Sequence, residues 1–389
     1  MAYTTIDDPS AHFHTQLYAS NSGYEVSVVN DANAGAFKPD LLWVKSRADI
    51  GGYEISHNLI DSSRGVTKTL FSDTQGAEST ASQSNYDLQS FDTDGFTTGA
   101  PESTNSLGGG AGTAKVAWQW KANGGTTTSV SASGTGEDSI NASTHQVNTT
   151  AGFSIITYTG RDDQISNGQE TKLTHGLGVK PDMFICKRRD GTSNWYVLGG
   201  NATETDEYWG WSYNEYLALN QSGAVNGVNY TGNKQQDSTY IYLGNALVNT
   251  VDSWIGYAFA EKQGFSKFGK FVGNGQADGP FVHTGFKPAF VMIKIIDTHG
   301  GTSEPWVMLD NKRSPFNRAN KKLSSNSNDA ENGHSAVGGA GYNDIDMLSN
   351  GFKIRTNNGA TNTNAKLFGY TAFAENPFVT STGVPTTAR

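Results

Sequence analysis

One nine-residue pattern occurs three times in this chain and constrains its fold more than any other feature. Each copy has an apolar residue, Lys-Pro, an apolar run and a second lysine; the copies read FKPDLLWVK at 37–45, VKPDMFICK at 179–187 and FKPAFVMIK at 286–294. Proline cannot donate to a strand ladder, so it suits the start of a strand, and the apolar run predicts a strand covered on one or both faces. We expect the second lysine to return the chain to water.

A second apolar run follows each copy after a short polar turn, and each pair of runs predicts a β-hairpin. The partner runs lie at residues 53–60, 195–198 and 306–309. Asp190-Gly191, between two of these runs, is a strong hairpin signal. The Lys-Pro strand therefore begins the central hairpin of each repeat.

The three repeats also end alike. Trp120, Phe259 and Phe373 each follow the proline of their repeat at a similar distance, as its last aromatic residue. Repeats of about 110 residues, with turns every 8 to 12 residues, are typical of a β-sandwich or jelly roll and are much longer than solenoid repeats. The predicted boundaries are 1–122 for the first sandwich with an N-terminal arm, 123–151 for a Gly/Thr/Ser-rich linker, 152–262 and 263–375 for the second and third sandwiches, and 376–389 for a C-terminal tail.

Composition favours an all-β chain. Only 17% of the 389 residues are charged while 46 are glycine, and Gly, Asn, Ser and Thr all lower helix propensity. The net charge of -9 contains no basic block, which argues against a nucleic-acid partner. Cys186 is expected to be a small buried hydrophobe. The N-terminus has no pattern of a signal peptide, and no stretch has the ~20 apolar residues of a membrane span, so we expect neither.

Two weak metal-site candidates are present. His12 and His14 flank Phe13 and would point to the same side of a strand, which is the spacing of two metal ligands; the alternative is a pair of half-exposed polar residues. Residues 92–95, Asp-Thr-Asp-Gly, resemble the start of a calcium loop but lack the further ligand spacing, and residues 348–352 repeat only the turn. We predict a structural turn there, and no metal or other cofactor.

No catalytic signature is readable. Asp61 and Arg64 recur as Asp310 and Arg313, whereas the second repeat has Gly199 near the equivalent place. A pair kept in two repeats and lost in the third predicts an ion pair that fixes a loop. No Gly-x-Ser-x-Gly motif occurs. We therefore predict that the protein is not an enzyme.

The second repeat holds two further candidates. The acidic cluster at 204–207 lacks the carboxylate order of jelly-roll glucanases, which leaves a polysaccharide hydrolase as a less favoured alternative. The segment 208–213 alternates so that Trp209, Trp211 and Tyr213 would share one strand face, on which sugar rings or another subunit could stack. The alternative is that these rings belong to a sandwich core.

The chain resembles the virion structural proteins of tailed bacteriophages, particularly marine and cyanobacterial phages. The resemblance covers nearly the whole chain and rests on TIDDPS at 5–10, HFHTQLY at 12–18, DSSRGVTK at 61–68, WQWKANGG at 118–125, GFSKFG at 264–269 and TGFKPAFV at 284–291. Such proteins look like tandem concanavalin A-like or SPRY-like β-sandwiches. The resemblance implies a tail-fibre, adsorption or head-decorating component without established catalysis.

These observations lead to one functional expectation with open alternatives. We expect a phage virion structural protein, made in the host cytoplasm and placed on the tail or capsid surface, that acts through assembly and host-surface recognition. Its expected partners are other virion proteins, further copies of itself with a trimer favoured, and a host cell-surface glycan. A capsid decoration protein and a lectin-like glycan-binding module are the alternatives.

Overall fold

The computed structural model confirms the all-β class. Strands make up 44% of it and helix 3%, in several antiparallel sheets. The structure describes residues 3–21, 24–49, 55–80, 88–99, 107, 112–162, 165–199, 215–227, 234–248, 250–296, 303–331 and 343–386.

Three units, each built on one main sheet, follow one another along the chain. In spatial order the main sheet of the first unit is β1 (Phe13–Ala19), β9 (Ala114–Trp120), β3 (Leu41–Ser46), β4 (Asn58–Asp61), β5 (Lys68–Phe71) and β6 (Ser79–Thr80). That of the second is β10 (Thr128–Val130), β11 (Ser143–Asn148), β12 (Phe153–Thr159), β19 (Ser253–Phe259), β14 (Met183–Arg188), β15 (Trp195–Gly199), β16 (Glu215–Ala218) and β17 (Asn226–Gly227). That of the third is β20 (Ser266–Val272), β26 (Leu367–Pro377), β22 (Phe286–Ile295) and β23 (Val307–Asp310).

Each unit also has a smaller sheet. These are β2 (Val26–Val28), β8 (Phe96–Thr98) and β7 (Leu88–Phe91) in the first unit, β13 (Glu170–Thr174) and β18 (Tyr240–Gly244) in the second, and β21 (Phe281–His283), β25 (Gly351–Ile354) and β24 (Ile345–Leu348) in the third. Helix in the described ranges is limited to single turns at Pro9–Ala11, Asn245–Leu247 and α1 (Gly359–Asn362).

The Lys-Pro strand occupies the same place in every unit, between the closing strand and its hairpin partner. β3 pairs with β9 and β4, β14 with β19 and β15, and β22 with β26 and β23. The three predicted hairpins are therefore confirmed. Pro39 and Pro181 stand two residues before their strands, whereas Pro288 lies inside β22 at a register shift, a place where a missing N–H is tolerated.

Both faces of the Lys-Pro strand are buried, which explains its unbroken apolar run. In the first unit Leu42 and Val44 cluster with Phe96 of the smaller sheet. Leu41 and Trp43 point to the opposite face and join a second cluster. Because neighbouring residues of a strand face opposite sides, a strand covered on both sides needs an apolar residue at each position.

The second cluster is a core that all three units share. Its centre contains the closing aromatic rings Trp120, Phe259 and Phe373, whose centroids are 6.3 Å, 5.6 Å and 5.9 Å apart in the three pairs. Each pair joins two different units, so the units surround an approximate threefold axis. A cavity of about 20 Å³ beside these rings is also lined by all three units. Each unit thus has an apolar cluster of its own and also contributes to the shared core.

The segment 123–151, predicted as a linker, contains strands β10 and β11. They extend the main sheet of the second unit through β12. From β11, Gln146 donates through Nε2 to the hydroxyls of Ser62 (2.8 Å) and Ser63 (2.7 Å) in the first unit. Of these two strands only β10 is an edge strand, and the buried positions of β11 hold the polar residues Ser143, His145 and Gln146.

Candidate functional site

The second lysine of each repeat is buried between two units, so the expectation that it returns the chain to water is wrong. Lys45, Lys187 and Lys294 are each 0% exposed. Every Nζ donates to a carbonyl of its own unit and to one of a neighbour. The acceptors in the neighbouring unit are Asn328 O for Lys45 (3.0 Å), Gln75 O for Lys187 (3.1 Å) and Ser222 O for Lys294 (2.7 Å). The contacts run from first to third, third to second and second to first unit, and so close a ring.

Burial changes the acid-base behaviour of two of these amines, Lys187 and Lys294. It lowers the pKa of Lys187 to about 8 and that of Lys294 to about 7, because a charge is costly where water is excluded. The two carbonyls around each Nζ offset part of that cost. Enclosed in this way, the three amines serve as contacts between units.

An indole makes a second contact between units at two of these places. The bonds run from Trp195 Nε1 to Phe71 O (2.8 Å) and from Trp306 Nε1 to Ala218 O (3.0 Å). His57 stands at the same hairpin position of the first unit. Its Nδ1 accepts from Trp43 Nε1 (2.9 Å), so Nε2 carries the proton. Burial, and then the charge of Lys45, lower the pKa of His57 well below its ordinary value, so the ring is neutral at pH 7.

A buried ionic network joins the first and second units. Asp61 Oδ2 and Arg64 Nε are 2.5 Å apart, both side chains are 0% exposed, and Tyr257 of the second unit donates its hydroxyl to the same oxygen (2.8 Å). Arg64 and Arg189 both reach Glu78, at 3.0 Å and 2.9 Å. Burial raises the pKa of Glu78, but the two guanidinium groups outweigh it and hold that pKa below its ordinary value. The predicted ion pair is confirmed, as part of a contact between units.

The same network joins the first and third units. Asp310 Oδ2 and Arg313 Nε are 2.5 Å apart and fully buried, and Trp118 of the first unit donates to this oxygen through Nε1 (3.1 Å). Glu331 receives Arg47 at 2.8 Å and Arg313 at 3.4 Å. Despite burial, these guanidinium groups hold the pKa of Glu331 below its ordinary value.

The contact between the second and third units has a different chemistry at the same repeat positions. Gly199 replaces the aspartate, Val225 replaces the glutamate, Ile296 replaces the arginine that crosses between units, and Thr371 replaces the indole or phenol donor. Ile296 lies in the shared core, and Val225 packs against that core. Because partners are replaced together, no charge is left buried without a counter-charge at these four positions.

A polar cavity of about 70 Å³ opens where the first unit meets the third. The first unit contributes His14, Thr15, Asp31 and Asn33 to its lining, and the third unit contributes Ala289, Asn311, Lys312 and Glu375. The two sets come from opposite ends of the chain and are brought together by the ring of units.

A chain of hydrogen bonds crosses the mouth of this cavity. His14 Nε2 donates to Asp31 Oδ1 (2.8 Å) and to Gln16 Oε1 (3.2 Å), and Lys312 Nζ lies 2.9 Å from Asp31 Oδ2. Burial lowers the pKa of His14, so its ring is neutral at pH 7. Burial raises the pKa of Asp31, but Lys312 and His14 outweigh it and leave that pKa below its ordinary value.

The two predicted metal-ligand candidates have different partners. His14 bonds Asp31, whereas His12 Nδ1 lies 3.1 Å from Asn148 Nδ2 and the His12 ring meets Phe265 edge-on at 5.8 Å. The described part of the chain contains no group of three or more His, Cys, Asp or Glu that could hold a metal ion.

The calcium-like sequence at 92–95 forms a hairpin turn. Asp92 N donates to Gly95 O (2.9 Å), and the Asp92 carboxylate accepts from Ser90 Oγ (2.5 Å) and Thr97 Oγ1 (2.7 Å). Gly95 has φ of 93°, a conformation that favours glycine. The carboxylate is thus used within its own hairpin, as the turn prediction requires.

Trp209, Trp211 and Tyr213 lie outside the described residues, and so does the acidic cluster at 204–207. The sequence places both between β15 and β16 of the second unit. The proposed stacking face stays a prediction.

A family model described as a domain of unknown function, DUF7483, matches residues 8–377. The chain belongs to the DUF7483 family. No curated protein and no solved structure matches it. The matched range runs through all three units of this DUF7483 chain, which share one core. Among the described residues, no helix is long and apolar enough to cross a membrane.

Sequence reasoning missed the three lysines and the cavity of this DUF7483 chain. The lysines carried a signal, because the same residue recurs at the same position in three repeats. Thr15 and Asn311 carried none, because they face each other only after the first and third units pack.

Proposed function

We propose that this protein is a structural component of a tailed-phage virion, in a tail fibre or adsorption apparatus, and that it contributes to host-surface recognition. The observation that carries the proposal is the single core shared by three units, closed by the ring of lysine contacts. A chain with buried contacts from end to end suits a part that transmits force or fixes geometry. The resemblance of its motifs to phage virion proteins supports the same assignment.

The proposal includes the finer architecture and the partners. Each unit, with a main and a smaller sheet over its own apolar cluster, is assigned a jelly-roll or concanavalin A-like sandwich. Other virion proteins, further copies of the chain with a trimer favoured, and a host glycan are the partners. No catalytic role is assigned. The protein is made in the host cytoplasm and carried on the tail or capsid surface.

Antibody-labelled virions imaged by electron microscopy test this proposal directly. We expect label on the tail and the protein in the mass spectrum of purified particles. Label on the head alone would favour the decoration-protein alternative. Absence of the protein from particles would refute both.

The lectin-like alternative rests on the segment 208–213 and has its own test. A variant with Trp209→Ala and Trp211→Ala is compared with the wild type on a glycan array. Lost binding with an unchanged melting temperature would support a stacking site at these rings, and unchanged binding would remove it.

A further inference from the structure

We propose that the cavity between the first and third units binds a neutral, hydroxyl-bearing ligand, namely a sugar residue of a surface glycan. The inference rests on the proposed recognition function and names its ligand class. It concerns a site far in sequence from the Trp209 segment, formed by β1, the loop that carries Asp31, and the third unit.

An unpaired hydroxyl in the wall is the first observation. Thr15 is 2% exposed and lines the cavity, and its Oγ1 has no hydrogen-bond partner among the described residues. A buried hydroxyl without a partner costs free energy. A ligand that brings a hydroxyl group into the cavity removes that cost.

The charges around the cavity are balanced, which selects against ions. Lys312 is paired with Asp31 at 2.9 Å, and Glu375 is paired with Lys287 at 2.6 Å. An anionic ligand would meet two carboxylates, and a metal ion would meet an ammonium group at the mouth. A neutral ligand meets neither repulsion.

The remaining polar groups suit hydroxyl groups. Asn33 and Asn311 each bring an amide with donors and an acceptor, and Asp31 keeps exposed carboxylate surface, its side chain being 60% exposed. Planar amide and carboxylate groups can bond adjacent hydroxyls of a sugar from one side. An apolar ligand would leave the Thr15 hydroxyl without a hydrogen bond.

The volume of the cavity fits a ligand of which only one part enters. A cavity of about 70 Å³ holds several water molecules, since one needs about 10–15 Å³. This space admits a hydroxymethyl group or one edge of a sugar ring. Ala289 leaves the room open, because the residues at the same place in the other repeats are the larger Asp40 and Asp182.

Ligand-observed NMR on the full-length protein tests the inference. The probes are methyl glycosides of glucose, galactose, mannose and N-acetylglucosamine, with N-acetylneuraminic acid, CaCl2 and glycerol as contrasts. We expect saturation transfer to at least one neutral glycoside. Thr15→Val, which keeps the shape and removes the hydroxyl, should weaken it roughly fivefold, as expected for one hydrogen bond.

Two further variants make the result specific. Asn311→Ala should also weaken binding. Thr69→Val is the matched control, because Thr69 is likewise buried with an unpaired Oγ1 but does not line the cavity, and it should bind like the wild type. The inference is overturned if no neutral glycoside binds, if binding survives both cavity variants, if only the anionic sugar or calcium binds, or if glycerol binds more tightly than every sugar.

The outcome is separable from that of the proposed function. Purified protein that binds a neutral glycoside but is absent from virions would keep this site and refute the virion role. Protein that is present on virions but binds no glycoside when purified would refute this site and keep the virion role.

Discussion

Lysine is used here as a long donor that crosses between units. Lys294 is fully buried, and its Nζ donates to the carbonyls of Ser222 (2.7 Å) and Glu304 (2.6 Å). An arginine would bring a broader head group whose N–H donors have a fixed, forked geometry. Two carbonyls that converge on one nitrogen do not need that geometry. Burial also lowers the pKa of the Lys294 amine, so its contribution to stability depends on pH.

We predict that the contribution of Lys294 to stability grows with pH. Its pKa falls from 10.5 to about 7 on folding, because burial disfavours the charge. Between these values the unfolded chain binds more protons at this residue than the folded chain, so the free energy of unfolding rises with pH, by at most about 1.4 kcal/mol per pH unit. Urea unfolding of wild type and Lys294→Met at pH 7, 8.5 and 10 measures the difference between them.

As pH rises through this series, the free energy of unfolding of the wild type should increase relative to that of Lys294→Met. Lys38→Met removes a partly exposed lysine of the first Lys-Pro motif. It is the control for the effect that removal of a lysine has regardless of burial. A wild-type advantage that shrinks as pH rises would contradict the lowered pKa.

Glycines at two equivalent hairpins give a second prediction at this scale. A Cβ on Gly95 would overlap Val28 O and one on Gly351 would overlap Val282 O, and Gly95 also has φ of 93°. Gly65 has φ of 91° with nothing within 4 Å of the added Cβ. Thermal unfolding should rank Gly95→Ala most harmful, at about 2–5 kcal/mol, with Gly351→Ala at about 1–3 and Gly65→Ala at about 1–2. Equal effects of Gly95→Ala and Gly65→Ala would show that backbone strain alone matters.

At the scale of elements, the hairpin that starts with the Lys-Pro strand carries several polar contacts between units. The lysine, the indole donor and the crossing arginine all lie on this hairpin. Each has its partner on the strand or turn that follows the hairpin of the next unit. A residue change in one hairpin therefore requires a matching change in its neighbour, as the contact between the second and third units illustrates.

The ionic contact between the first and second units should be costly to break. Glu78→Gln leaves the buried guanidinium of Arg64 and the partly buried one of Arg189 short of a counter-charge. We expect a loss of about 3–5 kcal/mol at pH 7 in urea unfolding. Asp278→Asn, which removes an exposed partner of Lys353 and Arg355, should cost less than about 1 kcal/mol. Similar losses for the two variants would indicate that burial of the network is unimportant.

The same variant has a predicted pH dependence. The pKa of Glu78 is lower in the folded chain than its ordinary 4.5, so its contribution is present above pH 4.5 and is lost as pH falls through the lower folded value. Between pH 5 and pH 3 the wild type should lose more stability than Glu78→Gln. Parallel acid curves for the two proteins would contradict the assignment.

The sequence predicted the elements that depend on neighbouring residues. The apolar run of the Lys-Pro strand, its hairpin partner and the turn at Gly95 are all local patterns, and the structure contains them. The buried state of Lys45 could not be foreseen, because its outer acceptor, Asn328 O, belongs to the third unit. Nor could the cavity, since Thr15 and Asn311 become neighbours only by the packing of units. The strands in 123–151 were missed because their polar composition matches that of a linker.

At the scale of the whole molecule, the shared core makes the three units dependent on one another. Phe13 of the first unit stacks on Phe373 of the third at 4.9 Å, and Phe259 of the second meets the same ring at 5.9 Å. A unit removed from the others would expose this face to water. The three units therefore bury one common apolar face.

We therefore predict a single unfolding transition for the full chain. In differential scanning calorimetry the van't Hoff enthalpy should approach the calorimetric enthalpy, whereas three independent domains of equal size would give a ratio of roughly one third. Three resolved peaks would refute the shared core as an energetic unit.

The ring of units on one chain has a consequence for stoichiometry. In a homotrimer every substitution is copied three times, so any site near the axis is present in triplicate. Here the residues of each contact between units are encoded separately. The cavity lined by Ala289 and the segment that contains Trp209 each occur once per chain. Titration should count one ligand per chain for either site, and two such sites can diverge in specificity without disturbing the remaining contacts.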